Sequence, residues 1–280
     1  MSGILYLVAT PIGNLSDMTS RAIDTLREVD LIAAEDTRNS IKLLNHFEIK
    51  TPMTAYHEYN KYDKADYLIN ELLGGKNIAL ITDAGTPGIS DPGEVLVSKC
   101  HENAVPVTSL PGCCALISAL IISGLPTRRF CFEAFLPSDK KERQDIIEEL
   151  KTETRTIIIY EAPHHLVKTL TELRDNLEDR QIAVCKELTK KFETINRTTL
   201  SEAVDYYTNN EPKGEYVLVL SGADKSKLVL EEQLAWQQMS LEEHMNLYLE
   251  QGIDKKEAMK KVAKDRGITK RDVYQALLEE

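Results

Sequence analysis

The segment from residue 82 to residue 93 is rich in residue types that build ligand-binding loops. Five of the residues from 84 to 94 are glycine or proline, and an apolar stretch at 78–81 precedes them. Glycine allows a backbone to approach a ligand closely, and proline fixes a turn. An irregular loop at the carboxyl end of a buried strand is where open α/β sheets bind ligands. We therefore predict a ligand loop rather than an ordinary β–α connection, which needs only about two to six residues.

Two further loops marked by glycine or proline follow predicted strands. Residues 10–17 come after a strand predicted at 4–9, and residues 109–112 come after one predicted at 105–109. If the strands are parallel, all three loops lie at one edge of a sheet, which is the geometry of a small-molecule site. The loops match neither G-x-G-x-x-G nor G-x-x-x-x-G-K-[ST], so a dinucleotide fold or a phosphate loop has no direct support.

Acidic side chains follow another predicted strand, residues 30–34, at the same edge of the sheet. An ionised carboxylate can accept a proton, so Glu35 and Asp36 are the first candidates for a general base. The alternative is that they cap the following helix or that Asp36 pairs with Arg38. His57 is a second candidate base, and a structural histidine is the alternative there.

The composition limits the classes of function. A net charge of −11 over 280 residues argues against indiscriminate nucleic-acid binding, although residues 251–272 hold eight Lys or Arg against four Asp or Glu. The five cysteines lack the spacing of zinc sites or disulfide frameworks, so we expect reduced thiols and no metal. The longest apolar run, 115–125, is too short for a membrane span, and residues 4–9 resemble a strand rather than a signal peptide. These features predict a cytoplasmic protein.

Strand-like and helix-like segments alternate along most of the chain. This alternation predicts an α/β fold with a mainly parallel sheet covered by helices on both faces. Residues 124–129 carry helix-stopping residues, and only helical periodicity follows residue 230. We predict three domains, which are an α/β domain at 1–124, a second α/β domain at 125–224 and a small helical domain at 235–280.

The glycine-rich loops and the acidic segment resemble the tetrapyrrole-methylase superfamily. The motifs that carry the resemblance lie at residues 5–15, 34–38, 56–58, 82–93, 109–112, 160–164, 186–190 and 214–222. The runs T-P-I-G-N at 10–14 and D-A-G-T-P-G at 83–88 are similar to those of its ribosomal-RNA branch. The resemblance implies two α/β domains with the cofactor in the cleft between them, followed by a small helix-turn-helix-like domain.

The resemblance also implies a reaction. Enzymes of that branch use S-adenosylmethionine to methylate the ribose 2′-hydroxyl of a cytidine in the decoding centre of 16S rRNA. The expected partners are therefore 16S rRNA or the 30S subunit and a second copy of the chain in a homodimer, with no membrane and no metal. Two alternatives stay open: C-methylation of a tetrapyrrole precursor, and a non-catalytic RNA-binding protein of ribosome assembly that retains the cofactor pocket.

Site residues are carried over from the superfamily position by position. The resemblance implies cofactor contacts from three loops and from the second α/β domain, at Pro11, Ile12, Gly85, Thr86, Pro87, Ile89, Ser90, Cys114, Ala115, Tyr160, Ala162, Leu188 and Leu218. The cationic side chains predicted to contact RNA are Arg38, Arg128, Arg129 and Lys190. The lysine-rich helices after residue 253 either contact RNA or form a charged outer face whose apolar side packs.

Overall fold

The computed structural model describes residues 2–279, which build two five-stranded sheets, and the first of these is parallel throughout. Its strands, in the spatial order β3-β2-β4-β1-β5, are β1 (Leu5–Val8), β2 (Leu31–Ala34), β3 (Met53–Ala55), β4 (Ile78–Ile81) and β5 (Val107–Leu110). Every residue of β4 is buried, as expected for a central strand with both faces covered. Because the strands are parallel, the loops that follow them meet at one edge.

Helices cover both faces of the first sheet. They are α1 (Ser20–Glu28), α2 (Thr37–His46), α3 (Lys61–Leu73) and α4 (Gly93–Glu102). Helices α1 and α2 pack on one apolar core, and α3 and α4 pack on the other. Helix α2 begins directly after Asp36, whose side chain accepts a hydrogen bond from the Arg38 backbone N–H and caps the helix.

The second sheet is mixed. Its strands, in the order β6-β7-β10-β8-β9, are β6 (Phe130–Phe135), β7 (Thr156–Glu161), β8 (Gln181–Lys186), β9 (Thr194–Thr199) and β10 (Tyr216–Leu220). Only β6 and β7 pair in parallel, and the other neighbours are antiparallel. Its helices are α5 (Ala115–Ser123) on one face and α6 (Lys140–Leu150), α7 (Leu166–Leu177) and α8 (Leu200–Asn209) on the other.

Strand β9 and helix α8 are absent from the prediction. The sequence of β9 is polar and the strand lies at the exposed edge of the sheet, so it lacks the apolar alternation that marks a half-buried strand. Helix α8 does carry a signal, since Thr199 and Glu202 form a capping box at its start.

The C-terminal part is helical, with α9 (Lys225–Gln237), α10 (Leu241–Glu250), α11 (Lys255–Asp265) and α12 (Lys270–Glu279). Helix α9 buries none of its residues, whereas α10, α11 and α12 share a small apolar core of their own. The predicted α/β class, with two α/β units and helices at the C-terminus, is confirmed, and the exact domain limits stay predictions. Within residues 2–279, no helix combines the length and apolarity needed to cross a membrane.

Candidate active site

A cavity of about 540 Å³ lies where the carboxyl edge of the first sheet meets the second sheet. We call its two sides the first wall and the second wall. The first wall consists of Ile12, Glu35, Thr82, Asp83, Ala84, Gly85, Thr86, Ile89, Ser90 and Asp91. The second wall consists of Cys114, Ala115, Phe135, Tyr160, Glu161, Ala162, Pro163, Leu188, Glu215, Tyr216 and Val217. The volume falls within the range of small-molecule sites.

Hydrogen bonds join the three predicted loops into one unit. The backbone N–H of Thr10 donates to the Gly85 carbonyl at 2.9 Å, and the N–H of Gly85 donates back to Thr10 at 3.0 Å. The Thr86 hydroxyl donates to the Cys113 carbonyl at 2.8 Å. The loops after β1, β4 and β5 are thus held together, as the parallel topology predicted.

Gly85 lies at a point where a larger side chain would extend into the cavity. Its φ is +87°, and a Cβ added there would lie 3.3 Å from Cγ2 of Ile12 and 3.6 Å from the Cys113 carbonyl oxygen. Left-handed backbone favours glycine, and the added carbon would narrow the cavity. Gly85 therefore leaves the loop backbone open to the cavity, and the approach of a ligand there stays a prediction.

Asp91 stabilises the same loop through hydrogen bonds to its backbone. Its two carboxylate oxygens accept hydrogen bonds from the backbone N–H groups of Gly88 at 2.8 Å and Gly93 at 2.7 Å. Burial raises the pKa of Asp91, and these two hydrogen bonds oppose that rise. Asp91 therefore shapes the loop, although its side chain also lines the cavity.

Glu35 lies at the end of β2 and lines the first wall. Its Oε2 accepts hydrogen bonds from the Thr82 hydroxyl at 2.6 Å and from the Asp83 backbone N–H at 3.3 Å. These two donors fix the carboxylate at the cavity. Glu35 thus has the placement required of a general base.

Asp36, the other predicted base, has a different task. Its carboxylate pairs with the Arg38 guanidinium at 2.6 Å and caps α2 through the Arg38 N–H at 2.8 Å. The hydrogen bonds from Arg38 lower the pKa of Asp36 to about 2. Asp36 does not line the cavity. The capping and pairing alternative describes the contacts of this residue, and its role as a base stays a prediction.

The second wall is organised by Tyr160. Its hydroxyl accepts a hydrogen bond from the Leu116 backbone N–H at 3.0 Å, which ties β7 to the start of α5. Its ring packs edge-on against Phe132 and Phe135, with centroids 4.9 and 5.7 Å away. Burial raises the pKa of Tyr160 to about 12, so the phenol stays neutral. Its side chain is a fixed part of the second wall.

Leu188 reaches the cavity from a strained turn. The residues on both sides of it have left-handed backbone, with φ of +51° at Glu187 and +65° at Thr189. Such conformations cost free energy in residues other than glycine and persist where the surroundings enforce them. The turn after β8 is therefore shaped to present one apolar side chain to the cavity.

Lys190 is held by two carboxylates of the second domain and its stem lies against the first loop, and its contact with RNA stays a prediction. Its ammonium pairs with Glu187 at 2.9 Å and Glu215 at 2.8 Å, and its side chain is only 29% exposed. A Cβ added at Gly13 would lie 2.3 Å from Cγ of Lys190, so the lysine stem lies flat on the first loop. In the structure these two carboxylates pair with the ammonium that was predicted to pair with an RNA phosphate.

Ten of the thirteen predicted cofactor residues line the cavity, namely Ile12, Gly85, Thr86, Ile89, Ser90, Cys114, Ala115, Tyr160, Ala162 and Leu188. Leu218 does not, because its side chain is fully buried in the core beneath α6, α7 and α8, and Val217 lines the cavity in its place. Successive side chains of a strand point to opposite faces of the sheet, so Val217 and Leu218 face opposite sides of β10. Pro11 and Pro87 are chain neighbours of lining residues but do not line the cavity themselves.

The predicted RNA contacts do not cluster. Arg38 is 87% exposed at the carboxyl edge of the first sheet, although it is paired with Asp36. Arg128 and Arg129 are exposed at the start of β6, whereas Phe135, at the far end of that strand, lines the cavity. Their contact with RNA stays a prediction.

The lining is acidic. Its charged members are Glu35, Asp83, Asp91, Glu161 and Glu215, and none of the lining residues that the structure describes is Lys, Arg or His. A cavity with this lining favours a ligand that carries positive charge. Among residues 2–279, no group of three or more His, Cys, Asp or Glu side chains is placed to hold a metal ion.

With this geometry in place, comparison with known proteins assigns the family. The model of the Tetrapyrrole (Corrin/Porphyrin) Methylases matches residues 4–204. This chain belongs to that family. It is 48% identical over 278 residues to the protein named ribosomal RNA small subunit methyltransferase I of Synechocystis sp., covering 99% of this chain and 98% of that protein. The family resemblance found in the sequence is confirmed.

Solved structures share the fold of this methylase chain. The crystal structure of diphthine synthase has a TM-score of 0.64 at 13% identity and covers 79% of this chain and 90% of that chain. Uroporphyrin-III C-methyl transferase from Thermus thermophilus, complexed with S-adenyl homocysteine, has a TM-score of 0.55 at 18% identity, covering 78% and 97%. These likenesses establish the common architecture.

Proposed function

We propose that this methylase transfers a methyl group from S-adenosylmethionine to the RNA of the small ribosomal subunit in the cytoplasm, and that the acceptor is the ribose 2′-hydroxyl of a cytidine in the decoding centre of 16S rRNA. The observation that carries the proposal is the acidic cavity between the two walls, in a chain that is 48% identical to a named ribosomal RNA methyltransferase over nearly its full length.

The cavity fits S-adenosylmethionine in shape and charge. Gly85 leaves space where a Cβ would intrude, and Ile12 and Leu188 offer apolar surface from opposite walls. The five carboxylates of the lining suit a sulfonium cation. We expect the loop 84–91 and the Leu188 turn to hold the cofactor, which supplies an activated methyl group when bound. Placing that group in line with the acceptor can supply much of the rate.

Glu35 is the proposed general base. A ribose hydroxyl must lose its proton when its oxygen is methylated, and Glu35 Oε1 would accept that proton. The Thr82 hydroxyl and the Asp83 N–H hold the other oxygen and so fix the carboxylate. Asp83 is itself held by the Asp36 N–H at 3.2 Å and the Asn39 amide at 3.1 Å. The backbone N–H of Asp36 thus holds the Asp83 side chain, and the backbone N–H of Asp83 in turn holds Glu35.

Helix α5 supports the proposal of a homodimer. All of its residues except Ser118 and Ser123 are apolar, and the face turned away from the second sheet exposes Ile117, Ile122 and, at 68%, Ile121. A helix that is apolar all round is normally buried. We expect light scattering to give about twice the chain mass of 31.6 kDa, and an Ile121→Glu variant to be monomeric. A monomeric parent protein would contradict the dimer.

The test is methyl transfer from S-adenosylmethionine labelled in the methyl group. The purified chain is offered 30S subunits, naked 16S rRNA and a tetrapyrrole precursor in separate reactions. We expect label in the 16S rRNA of at least one ribosomal substrate and none in the tetrapyrrole. Label in the tetrapyrrole alone would establish the C-methylation alternative. Tight cofactor binding without transfer to any substrate would instead support a non-catalytic RNA-binding protein.

A further inference from the structure

Tyr59 is an aromatic side chain that almost nothing covers. It is 97% exposed in the turn between β3 and α3, and Tyr62, in the first turn of α3, is 63% exposed. Tyrosine combines a large apolar ring with a polar tip and is enriched where proteins bind partners. The two exposed rings, three residues apart, form a surface that we call the Tyr59 platform; the Lys61 ammonium lies 5.4 Å from the centroid of the Tyr62 ring.

The turn that carries Tyr59 is firmly held. The Asn60 side chain accepts a hydrogen bond from the His57 N–H at 2.9 Å and donates to the Ala55 carbonyl at 3.3 Å. The buried Tyr56 hydroxyl donates to the Pro92 carbonyl at 2.8 Å. The ring is therefore presented on an ordered base, which lowers the entropic cost of binding against it.

The platform lies at the sheet edge that carries Glu35, the proposed general base. Strand β3 is the neighbour of β2, with Ala55 level with Ala34, and the Tyr56 N–H donates to the Ala34 carbonyl at 2.8 Å. Both strands run in the same direction, so the turn at Tyr59 and the carboxylate of Glu35 leave the sheet at the same edge, one strand apart.

Two cations beside the platform are paired with carboxylates. Lys61 pairs with Glu58 at 2.6 Å, and Arg38 pairs with Asp36 at 2.6 Å. Phosphate would meet carboxylates here along with the ammonium and guanidinium groups, and the first wall next to it is acidic. The contact that the Tyr59 platform offers to a nucleic acid is therefore the face of the Tyr59 ring, which can stack on any base.

We propose that Tyr59 stacks on an unpaired nucleobase of the ribosomal RNA and so places the neighbouring ribose at Glu35. The inference rests on the proposed function and adds the surface that receives the substrate. Single-stranded RNA is recognised in this way, by splayed bases stacked on aromatic side chains. Tyr59 is then a substrate-binding residue of the acceptor side, separate from the residues that hold the methyl donor.

The test compares Tyr59→Ala and Tyr59→Phe with Tyr206→Ala, which removes an exposed tyrosine from α8. Steady-state methylation of 30S subunits is measured, together with the affinity for S-adenosylhomocysteine. We expect Tyr59→Ala to raise KM for the subunit about tenfold, within the range of stacking effects. Tyr59→Phe keeps the ring and should stay within about twofold of the parent protein, as should Tyr206→Ala. Affinity for S-adenosylhomocysteine should be unchanged in all three.

Three results would overturn the proposal. KM of Tyr59→Ala could equal that of the parent, or Tyr59→Phe could be as impaired as Tyr59→Ala, which would assign the effect to the hydroxyl. The third is a raised KM for the subunit without weaker binding of a fluorescein-labelled single-stranded oligoribonucleotide, which would assign the ring to a protein partner. If the parent chain itself methylates no RNA, the proposed function fails instead, and that result is read before any variant is compared.

Discussion

The two walls of the cavity are built by different rules. The first wall comes from loops that follow parallel strands, and the sheet topology alone brings those loops to one edge. The second wall, apart from Cys114 and Ala115 at the start of α5, comes from a mixed, mostly antiparallel sheet, where no common edge exists. It is placed by individual contacts such as the hydrogen bond from the Leu116 N–H to the Tyr160 hydroxyl and the Lys190 ion pairs. We infer that the first wall supplies chemistry and that the second wall closes over the ligand.

The largest effect is expected at the first wall, where Glu35 would take the proton. Glu35→Gln keeps the size of the side chain and removes its ability to accept a proton. Loss of a general base typically costs about 10²- to 10⁴-fold, and we expect kcat to fall by that amount with little change in cofactor affinity. Single-turnover methylation of 30S subunits measures the chemical step directly.

Asp36→Asn is the matched control for that variant. Because Arg38 lowers the pKa of Asp36 to about 2 and pairs with its carboxylate, the substitution removes the ion pair but keeps a side-chain oxygen that can cap α2. We expect kcat within a few-fold of the parent and a small loss of thermal stability. A collapse of kcat in Asp36→Asn with a normal Glu35→Gln variant would reverse the assignment.

The next largest effect is expected at Gly85, where the backbone of the first wall faces the cavity. Gly85→Val adds side-chain atoms at a φ of +87° and 3.3 Å from Ile12. We expect the affinity for S-adenosylhomocysteine, measured by calorimetry, to fall by at least about 100-fold, since an overpacked site must deform to accept the ligand.

Gly252→Val separates the loss of space from backbone strain. Gly252 also has a left-handed φ, +80°, but no atom lies within 4 Å of an added Cβ. Both variants carry the strain of a branched residue at positive φ, and only Gly85→Val fills the cavity. Equal cofactor affinity in Gly85→Val and the parent would place the ligand elsewhere.

A smaller effect is expected at the second wall. Lys190→Met keeps most of the stem that lies on Gly13 and removes the charge that joins Glu187 to Glu215. Since a partly exposed pair contributes up to about 1 kcal/mol, we expect S-adenosylhomocysteine to bind about fivefold more weakly. Lys190→Arg should restore most of the affinity. An unchanged cofactor affinity with a raised KM for RNA would support the original prediction that Lys190 contacts RNA.

The Lys190 bridge also predicts a pH dependence. Burial disfavours ionisation of Glu187, but the hydrogen bonds from Lys190 and the Glu215 N–H outweigh it and lower its pKa. A carboxyl with a lowered folded-state pKa contributes stability above its ordinary pKa, and that contribution disappears as pH falls through the lowered value. We expect Lys190→Met to lose less stability than the parent over this acid range. Parallel stability curves for the two proteins would contradict the bridge.

The same contrast explains what the sequence could predict. The glycine at 85, the loop at 82–93 and Glu35 at a strand end are local signals, and parallel topology does the rest. Val217 and Phe135 could not be found from pattern, because their places depend on which face of a mixed sheet turns toward the cavity. Lys190 looked like a free cation. Glu187 is a local partner three residues before it, but Glu215 meets Lys190 only through the pairing of β8 with β10.

The position of the transferred methyl group tests the central claim most directly. After the chain has acted on 30S subunits with methyl-labelled S-adenosylmethionine, the 16S rRNA is hydrolysed completely in alkali and the products are separated. Alkaline cleavage needs a free 2′-hydroxyl, so 2′-O-methylation leaves the label in an alkali-resistant dinucleotide. We predict label in such a dinucleotide with cytidine at its 5′ side. Label in a mononucleotide would place the methyl group on a base and contradict the account.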